Sequence, residues 1–496
     1  MSSKTNLEIA QAVKLIALNE FQLALEILDK AKKSHPKDAL VLYNYSLCLI
    51  KLEKFQDAIA PLKKVLQQHP SLIQALSNLA VALNASKRHQ ESLIYFRKAL
   101  EIDAVNIELL NNYGSALIDS GHIAEAFGVF DTAFQLNPNV AQALVNKGAA
   151  HTYLRQSTLA IACYEKALEI EPENQLAADY LGQLYLGEMN FKYGWPLYEK
   201  RGSRNKYAMN DGSHPLKYLP NKLWDGQQKF ERLLVWSEQG VGDQILYGSI
   251  LREFADWKEG QVIVALDRRL VPSFQRSFIN IEFIDKDSYS NINYDYHIPM
   301  PILGRLFIKD KNWFLNSSAF LLDDQNKTRM ISDATSQMTG GEKYLCGVSW
   351  RSKNINIGAD KTIMLQDLRS IFESEQCDFI DLQYGDTSAE RRKLKSKSKL
   401  YKVDSVDNFE DIDELISLIQ VCKYIVTTSN TTAHLAGALG KKTFLLVPYS
   451  KGKLWYWHSI NGQSLWYPNT EVFEQCPNEG WVKPIKMVKE RMSQLR

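Results

Sequence analysis

The residues best suited to chemistry are four consecutive polar side chains in the last fifth of the chain: Ser429, Asn430, Thr431 and Thr432. The residues before them predict a strand over 424–428, and those after them predict a helix over 433–439. All four residue types cap helix N-termini. Where a parallel strand leads into a helix N-terminus, backbone N–H groups and the helix dipole favour a bound phosphate. The same pattern also fits an ordinary strand–helix–strand unit with a well-capped helix.

Further polar residues are predicted near the ends of neighbouring strands. Arg351, Lys353 and Lys361 follow one of these strands and could neutralise phosphate charge, although three cations at this spacing also fit a solvated loop. Gln383 lies at the end of another strand. His434 lies one step inside the helix that follows the polar turn, where a histidine can contact a ligand or be structural.

A glycine-containing turn, EQGVGDQ, follows the first predicted strand of the second half of the chain. Gly240 and Gly242 would allow a tight turn and a close approach of the backbone to a ligand. The turn lacks the third glycine of a dinucleotide-binding fingerprint, because Ile245 stands in its place. Asp243 ends the turn, where it could cap the helix that follows.

The elements that must position these residues are predicted to form two Rossmann-like units. Residues 231–335 form the first unit, with strands predicted at 233–237, 261–267, 281–285 and 295–300. Residues 340–496 form the second, with strands predicted at 344–350, 378–384, 399–403, 424–428 and 443–447, a helix at 409–422 and a closing helix at the end. Two such units leave a cleft between the C-terminal ends of their sheets, where ligands bind.

The first 202 residues contain a repeat with a period of 34 residues. Its clearest landmarks are Pro36, Pro70, Pro138 and Pro172. Small residues recur at the same interval, at Ala24, Ala58, Ser92, Ala126 and Ala160. A helix pair with small residues at the crossing and proline at its end resembles the tetratricopeptide repeat. We therefore expect five to six helix pairs stacked into a solenoid over 1–202, followed by a linker over 203–230.

An asparagine also recurs at this period on the predicted first helices. The column consists of Asn44, Asn78, Asn112 and Asn146. A side-chain amide offers an acceptor and two donors, so a column of amides could hold the backbone of an extended peptide on the concave face. It resembles the asparagine ladder of the nucleocytoplasmic O-linked N-acetylglucosamine transferases. The alternative is that asparagine merely satisfies neighbouring turns.

Composition and charge exclude several classes of protein. The net charge of +2 over 496 residues gives no electrostatic case for binding nucleic acid or anionic membrane. The six cysteines show no CxxC spacing and no disulfide framework. No secretion signal and no apolar run of membrane-spanning length is visible. A cytoplasmic location is therefore expected.

Several motifs together resemble bacterial tetratricopeptide-repeat proteins with a heptosyltransferase-like domain, and through them the GT-B glycosyltransferases. The motifs are Gly194 and Trp195 with Tyr198, Glu199 and Arg201, then residues 224–226, 238–243 and 433–440. The resemblance implies an α-solenoid followed by a GT-B fold of two Rossmann-like domains, an α plus α/β architecture. Its N-terminal Rossmann-like domain would face the acceptor and its C-terminal one the nucleotide sugar.

The resemblance also implies an activity: an inverting, metal-independent glycosyltransferase that transfers sugar to Ser or Thr of a protein held by the repeats, with flagellin as the leading acceptor. Asp243 would be the general base, with Glu238 in reserve. The donor, a CMP-, UDP- or ADP-linked sugar, would be bound by Gly240, Gly242, Gln244, Arg351, Lys353, Lys361, Gln383, residues 429–432 and His434. The alternatives are a non-catalytic repeat scaffold with a degenerate domain, or an enzyme with a saccharide or lipid acceptor.

One departure from the family bears on activity, because Ser429 stands where many relatives have aspartate. Losing that carboxylate beside a phosphate site would change the donor preference or weaken the enzyme. Tyr384, Lys451, Trp455 and Tyr456 are further candidates for contacts with the donor. For the aromatic run 455–457 we expect packing under the C-terminal helix instead.

Overall fold

A computed structural model describes residues 3–200, 222–255, 259–288, 292–354, 357–394, 400–449, 452–477 and 479–494. The chain divides into two compact units, Met1–Ala178 and Asp179–Arg496. The first unit is helical, and the second contains two β-sheets. Most of the expected linker over 203–230, Arg201 of the family motif and Lys451 lie outside the described residues.

The N-terminal region is a series of helix pairs. The helices are α1 Ser3–Ala17, α2 Phe21–Ser34, α3 Ala39–Lys51, α4 Phe55–Gln68, α5 Ile73–Ala85, α6 His89–Ile102, α7 Ile107–Asp119, α8 Ile123–Leu136, α9 Gln142–Tyr153, α10 Ser157–Ile170, α11 Gln175–Gly187 and α12 Phe191–Glu199. The bounds follow the predicted 34-residue period, so the repeat solenoid is confirmed.

The small residues of the repeat lie where paired helices cross. Ala24, Ala58, Ser92, Ala126 and Ala160 are all fully buried. Ser92 keeps its hydroxyl satisfied by donating to the Ala80 carbonyl at 2.7 Å. A larger residue at these positions would force the paired helices apart, which is why the sequence keeps them small.

The first sheet has four parallel strands in the order β3-β2-β1-β4. The strands are β1 Arg232–Trp236, β2 Gln261–Leu266, β3 Glu282–Asp285 and β4 Tyr296–Pro299. The α-helices of this region are α13 Val241–Gly248, α14 Val271–Ser277, α15 Leu303–Phe307 and α16 Gln325–Thr339. The strand order reverses between β1 and β4, since the chain moves outward through β2 and β3 and then returns to the other side of β1.

The second sheet has eight strands in the order β10-β11-β12-β9-β8-β5-β6-β7. The strands are β5 Tyr344–Ser349, β6 Cys377–Asp381, β7 Leu400–Tyr401, β8 Tyr424–Thr428, β9 Lys442–Val447, β10 Ser459–Ile460, β11 Gln463–Ser464 and β12 Thr470–Glu474. The strands from β12 to β7 are parallel, and β10 and β11 pair antiparallel beside them. The order reverses between β5 and β8, which makes their C-terminal ends a position where doubly wound sheets bind ligands.

The helices around the second sheet complete the unit. They are α17 Gly358–Lys361, α18 Ser388–Lys393, α19 Ile412–Val421, α20 Thr431–Ala438 and the closing helix α21 Val482–Ser493. Short 3₁₀ helices occupy Ser249–Phe254, Met300–Ile302, Lys311–Asn316, Asp367–Glu373 and Trp455–Trp457.

The sixth helix pair belongs to the sheet-containing unit rather than to the first five pairs. The division between the units falls within α11, at Ala178, instead of at the expected position 202. Trp195 on α12 is 3 % exposed, and its indole N–H donates to the Ile308 carbonyl at 3.1 Å. A Cβ at Gly304 would lie 2.3 Å from the indole ring, so glycine is required there. One hydrophobic core therefore joins α12 to residues of both sheets.

Candidate functional site

A cavity of about 480 Å³ lies at the C-terminal ends of the parallel strands of both sheets. Its walls come from the loops after β1 and β2 of the first sheet and after β5, β6, β7, β8 and β9 of the second. The reversals of strand order place these loops side by side. Of the predicted residues, the cavity is lined by Gly240, Gly242, Asp243, Lys353, Lys361, Tyr384, Ser429, Asn430, Thr431, Thr432, His434, Trp455 and Tyr456.

Asp243 lies in the first turn of α13, where the positive end of the helix dipole favours a carboxylate. The N-cap of this helix is Gly240. The alternative role of Asp243 as the helix cap is therefore wrong. The Tyr456 hydroxyl donates a hydrogen bond to Asp243 Oδ1 at 3.2 Å. The carboxylate is thus oriented at the cavity wall by a residue from a different part of the chain.

Of the two glycines in the EQGVGDQ turn, Gly242 is required by close packing and Gly240 is not. Gly240 has φ −63°, which any residue can adopt. At Gly242, a Cβ would lie 2.9 Å from Cδ2 and 3.4 Å from Nε2 of His434. Gly242 therefore allows α13 to approach α20 closely.

Lys361 brings positive charge to the same cavity. It ends α17 and is 4 % exposed. Burial lowers the pKa of its ammonium from 10.5 to about 8, against the opposing attraction of Asp243 and Asp360. In the part of the chain that the structure describes, no carboxylate lies within ion-pair distance of this ammonium. A buried cation in this setting is suited to an anionic ligand.

Asn430 holds the polar turn at the reversal of the second sheet. It is the N-cap of α20, and its Oδ1 accepts from the Ala433 N–H at 3.3 Å. Its Nδ2 donates to Ser349 Oγ at 2.6 Å and to the Arg351 carbonyl at 3.1 Å. Asn430 thus ties the end of β8 to the end of β5, and Thr431 and Thr432 at the start of α20 line the cavity.

His434 is 3 % exposed and enclosed by aromatic rings. Its Nδ1 is 3.0 Å from the Tyr467 hydroxyl. Burial, followed by the positive charge of Lys361, lowers its pKa from 6.5 to about 3. The imidazole is therefore neutral at physiological pH and acts as a hydrogen-bonding group rather than as a cation.

One aromatic segment, residues 455–467, contacts three of the predicted site residues. Tyr456 donates to Asp243, Trp457 Nε1 donates to Ser429 Oγ at 2.8 Å, and Tyr467 contacts His434. The segment packs in the core shared with Trp195 and Tyr198, whereas α21 packs in a separate core beside β12. The expectation that residues 455–457 pack under the C-terminal helix is therefore wrong. These aromatic rings do pack in a hydrophobic core, but in the one beside the cavity.

Other predicted residues lie next to the cavity without lining it. Arg351 contacts the carbonyls of Tyr384 and Asp386 and forms an ion pair with Glu390 at 3.4 Å. Gln383 Oε1 accepts from the backbone N–H groups of Trp350 at 2.9 Å and Arg351 at 2.7 Å. These two side chains organise the loops around the cavity.

The remaining two members of the predicted set also lie outside the wall. Gln244 bridges the Gln239 carbonyl and the Asp267 N–H, at 2.9 and 2.8 Å. Glu238 is half-buried and is not among the residues that line the cavity. This placement leaves Asp243 as the better positioned of the two predicted bases.

Sequence reasoning missed a second set of lining residues, which includes Asp179, Gln183, Tyr198, Gln239, Arg269, Asn408 and Phe409. Asp179 and Gln183 lie on α11, which the repeat period assigned to the solenoid. Asn408 and Phe409 follow β7, a strand of two residues. The rings of Phe409 and Tyr384 are 6.1 Å apart, and the Lys353 ammonium lies 5.1 Å from each ring. Asn408 follows a predicted strand, and polar residues after strand ends often line ligand sites. That signal could have identified Asn408 and Phe409 from the sequence.

The asparagine column lies on equivalent first helices, α3, α5, α7 and α9. Asn44 is 7 % exposed and donates to the Leu40 carbonyl of its own helix at 2.9 Å. Asn146 accepts from Gln142 at 2.9 Å and donates to Asn111 at 3.3 Å. Asn78 and Asn112 are half-buried, and Asn78 bonds to the Tyr43 side chain. The members of the column thus differ in how far their amides are already engaged.

Two negative findings concern the described residues. Within the ranges given above, no group of three or more His, Cys, Asp or Glu side chains is arranged to hold a metal ion. No described helix combines the length and the apolar character needed to cross a membrane. The six cysteines are unpaired thiols.

Comparisons with known families confirm the repeats. Tetratricopeptide-repeat models match residues 9–73, 72–102 and 141–174. A curated relative is Protein FlbA of Caulobacter vibrioides, 25 % identical over 312 residues, which are 56 % of this chain and 48 % of that protein. The chain thus spans about half the length of the curated relative it matches.

Several solved structures are also similar. YrrB, described as a TPR protein with an unusual peptide-binding site, is 24 % identical with a TM-score of 0.30, covering 35 % of this chain and 89 % of YrrB. TTC0263, a TPR protein of Thermus thermophilus, is 20 % identical with a TM-score of 0.33, covering 37 % of this chain and 99 % of that protein. PilF of Pseudomonas aeruginosa is 24 % identical with a TM-score of 0.30, covering 36 % of this chain and 77 % of that protein.

Proposed function

We propose that the chain is a glycosyltransferase of GT-B type, which transfers a sugar from a nucleotide-sugar donor to a Ser or Thr hydroxyl of a protein. The observation that carries this proposal is the composition of one cavity wall. Asp243, Lys361, His434 and the N-terminus of α20 all meet there, at the strand-order reversals of two parallel sheets. Glycosyl transfer needs a base for the acceptor and an anion site for the leaving group.

The chemistry is a single displacement. Asp243 takes the proton of the acceptor hydroxyl, and the resulting oxygen forms a bond to the anomeric carbon. The bond between that carbon and the phosphate oxygen breaks, and its electron pair stays on the departing nucleotide. Lys361 and the N–H groups of Thr431 and Thr432 at the start of α20 stabilise the new negative charge. Attack from the face opposite the leaving group inverts the anomeric centre.

The lining residues support one orientation for the proposed donor. With the phosphates at α20 and Lys361, the nucleoside extends toward Tyr384, Phe409 and Lys353, which offer aromatic and cationic surface to a base. This arrangement is compatible with CMP-, UDP- and ADP-linked sugars. The bond to the sugar then lies near Asp243.

The tetratricopeptide repeats are proposed to hold the acceptor protein. Repeat solenoids bind extended segments along one face. The half-buried Asn112 and Asn78, of which Asn78 also bonds to the Tyr43 side chain, are the members of the column proposed to contact such a segment. Flagellin is the leading acceptor, on the strength of the family resemblance alone. With a saccharide or lipid acceptor instead, alanine at these two asparagines would leave transfer unchanged.

A second candidate function is a repeat scaffold with an inactive sheet unit. Ser429 favours this alternative, because it replaces the family aspartate and its oxygen already accepts from Trp457. The two functions differ in one measurable property, since a scaffold needs no nucleotide.

The test is calorimetric titration of the full chain with UDP, CMP, GDP and ADP, followed by a mass-shift assay with the matching nucleotide sugar and a flagellin acceptor. We expect one nucleotide class to bind, and His434→Ala to weaken that binding. Asp243→Asn should bind nucleotide but lose transfer by about 100-fold or more. Asp333→Asn, an exposed position on α16, is the matched control. Absence of binding across the panel, with the protein folded, would support the scaffold.

A further inference from the structure

The Tyr467–His434 contact determines what His434 can do in the cavity. The two residues lie 33 positions apart, on the segment after β11 and on α20. Tyr467 is 1 % exposed and crosses α20 at Gly437, where a Cβ would lie 2.3 Å from its ring. The hydroxyl is thereby fixed beside Nδ1, at 3.0 Å.

Two arrangements of hydrogen are possible in this contact, because a neutral imidazole carries one N–H and one lone pair. If Nδ1 carried the hydrogen, it would donate to the phenol oxygen, and the phenolic hydrogen would need another acceptor. Among the described residues, His434 Nδ1 is the hydrogen-bond partner of that hydroxyl, and no second one lies within reach. A buried donor without an acceptor is costly.

In the opposite arrangement, every buried donor of this pair has a hydrogen-bond acceptor. The Tyr467 hydroxyl donates to Nδ1, and the imidazole hydrogen is then on Nε2. The Nε2 edge of the ring faces Gly242, and both residues line the cavity. The Nε2–H can therefore be satisfied by water or by a ligand.

We propose that Tyr467 is a positioning residue that holds His434 as the neutral Nε2–H form, so that His434 donates a hydrogen bond to a phosphate oxygen of the nucleotide and does not act as a base. This inference rests on the proposed function for its ligand, but not for the state of the imidazole. Burial raises the pKa of the Tyr467 phenol well above its usual value, so the hydroxyl keeps its hydrogen throughout the physiological range. His434 is neutral in the same range.

The contrast with Tyr456 supports the assignment. Tyr456 packs against the same imidazole, with ring centroids 5.4 Å apart, but its hydroxyl donates to Asp243. Each tyrosine therefore serves a different site residue. Asp243 and His434 thus receive their hydrogen bonds from two different tyrosines.

The experiment is NMR of the ligand-free full chain labelled with ¹⁵N in histidine, with His434→Gln used to assign the His434 resonances. We expect the wild type to carry the proton on Nε2 and to show Nδ1 as an acceptor of a hydrogen bond. In Tyr467→Phe, the proton should no longer be confined to Nε2, and the Nδ1 and Nε2 resonances should both move toward those of an imidazole that exchanges between its two neutral forms. Tyr456→Phe should leave the Nδ1 resonance in place.

Either of two results overturns the proposal: a wild-type spectrum with the proton on Nδ1, or an Nδ1 resonance that Tyr467→Phe leaves unchanged. If Tyr467→Phe does not fold, the wild-type proton position alone decides. A second measurement titrates UDP and ADP into the same proteins, and Tyr467→Phe should bind about tenfold more weakly, as expected for one hydrogen bond to a charged group. Failure of the wild type to bind any nucleotide counts against the proposed function, whereas the position of the proton is decided without ligand.

Discussion

Gly242 and His434 approach each other so closely that no side chain fits between them. A Cβ at Gly242 would lie 2.9 Å from Cδ2 of the imidazole, and the ring is itself held by Trp457 and Tyr467. This contact joins the first turn of α13 to α20, and so it joins the proposed base to the proposed phosphate site. A substitution that moves α13 at this contact should therefore also move α20, and the reverse.

Gly242→Ala should displace α13 or the imidazole. We expect the free energy of unfolding to fall by about 1–3 kcal/mol, as for an overpacked core, and nucleotide binding to weaken. The control is Gly128→Ala in α8, where nothing lies within 4 Å of the added Cβ. Alanine there should stabilise the chain by about 0.5–1 kcal/mol, because it is the better helix former. Chemical denaturation and calorimetry measure both variants, and wild-type stability and affinity in Gly242→Ala would contradict so close a contact.

Nucleotide affinity should fall as the pH rises through about 8. The pKa of Lys361 is lowered from 10.5 to about 8, so its charge is present below that pH and is lost above it. Lys361→Gln should bind more weakly at pH 7 and lose this pH dependence. Lys353→Gln is the matched control, since it removes a cation from the same cavity and keeps Lys361. Titrations at pH 6.5, 7.5 and 8.5 decide the point, and a Lys361→Gln profile parallel to the wild type would assign the dependence elsewhere.

Acid should destabilise the sheet unit partly through His434. The folded-state pKa is about 3 and the ordinary value is 6.5. Between these values the unfolded chain binds a proton that the folded chain excludes, so stability falls as the pH falls through this window. At the acidic end of this window, the loss of folding free energy due to His434 reaches about 5 kcal/mol. His434→Gln should show a shallower loss of stability between pH 6.5 and pH 4 in urea unfolding, and an unchanged slope would show that His434 does not contribute.

Trp195→Ala should destabilise the sheet-containing unit without affecting the first five repeats. The indole is 3 % exposed and its N–H is bonded to the Ile308 carbonyl, so truncation should cost about 3–5 kcal/mol. Tyr193→Ala on the same helix is the control, because Tyr193 is 55 % exposed and should change stability by less than about 0.5 kcal/mol. Hydrogen exchange resolved along the chain measures both units, and a loss of protection in α1–α10 instead would place the sixth pair with the repeats.

The local pattern of the sequence predicted the helices and most strands well. The repeats follow from a 34-residue period that fixes small residues at every helix crossing, and the strands follow from apolar β-branched runs with polar ends. The polar turn at 429–432 was also found from sequence, because residue types that cap a helix after a buried strand are a local signal. Asn430 caps α20 as that signal predicted.

The sequence by itself therefore determined the repeat, the strands and the turn that bears the polar residues, since each depends on neighbours a few positions away. Tertiary structure decided which polar side chains line the cavity. Arg351 and Gln383 bond to neighbouring loops, whereas Asp179 and Asn408 reach the wall from α11 and from the loop after β7. It also decided that Tyr456, Trp457 and Tyr467 bond to Asp243, Ser429 and His434. These choices depend on contacts between segments far apart in the chain, and no local periodicity encodes them.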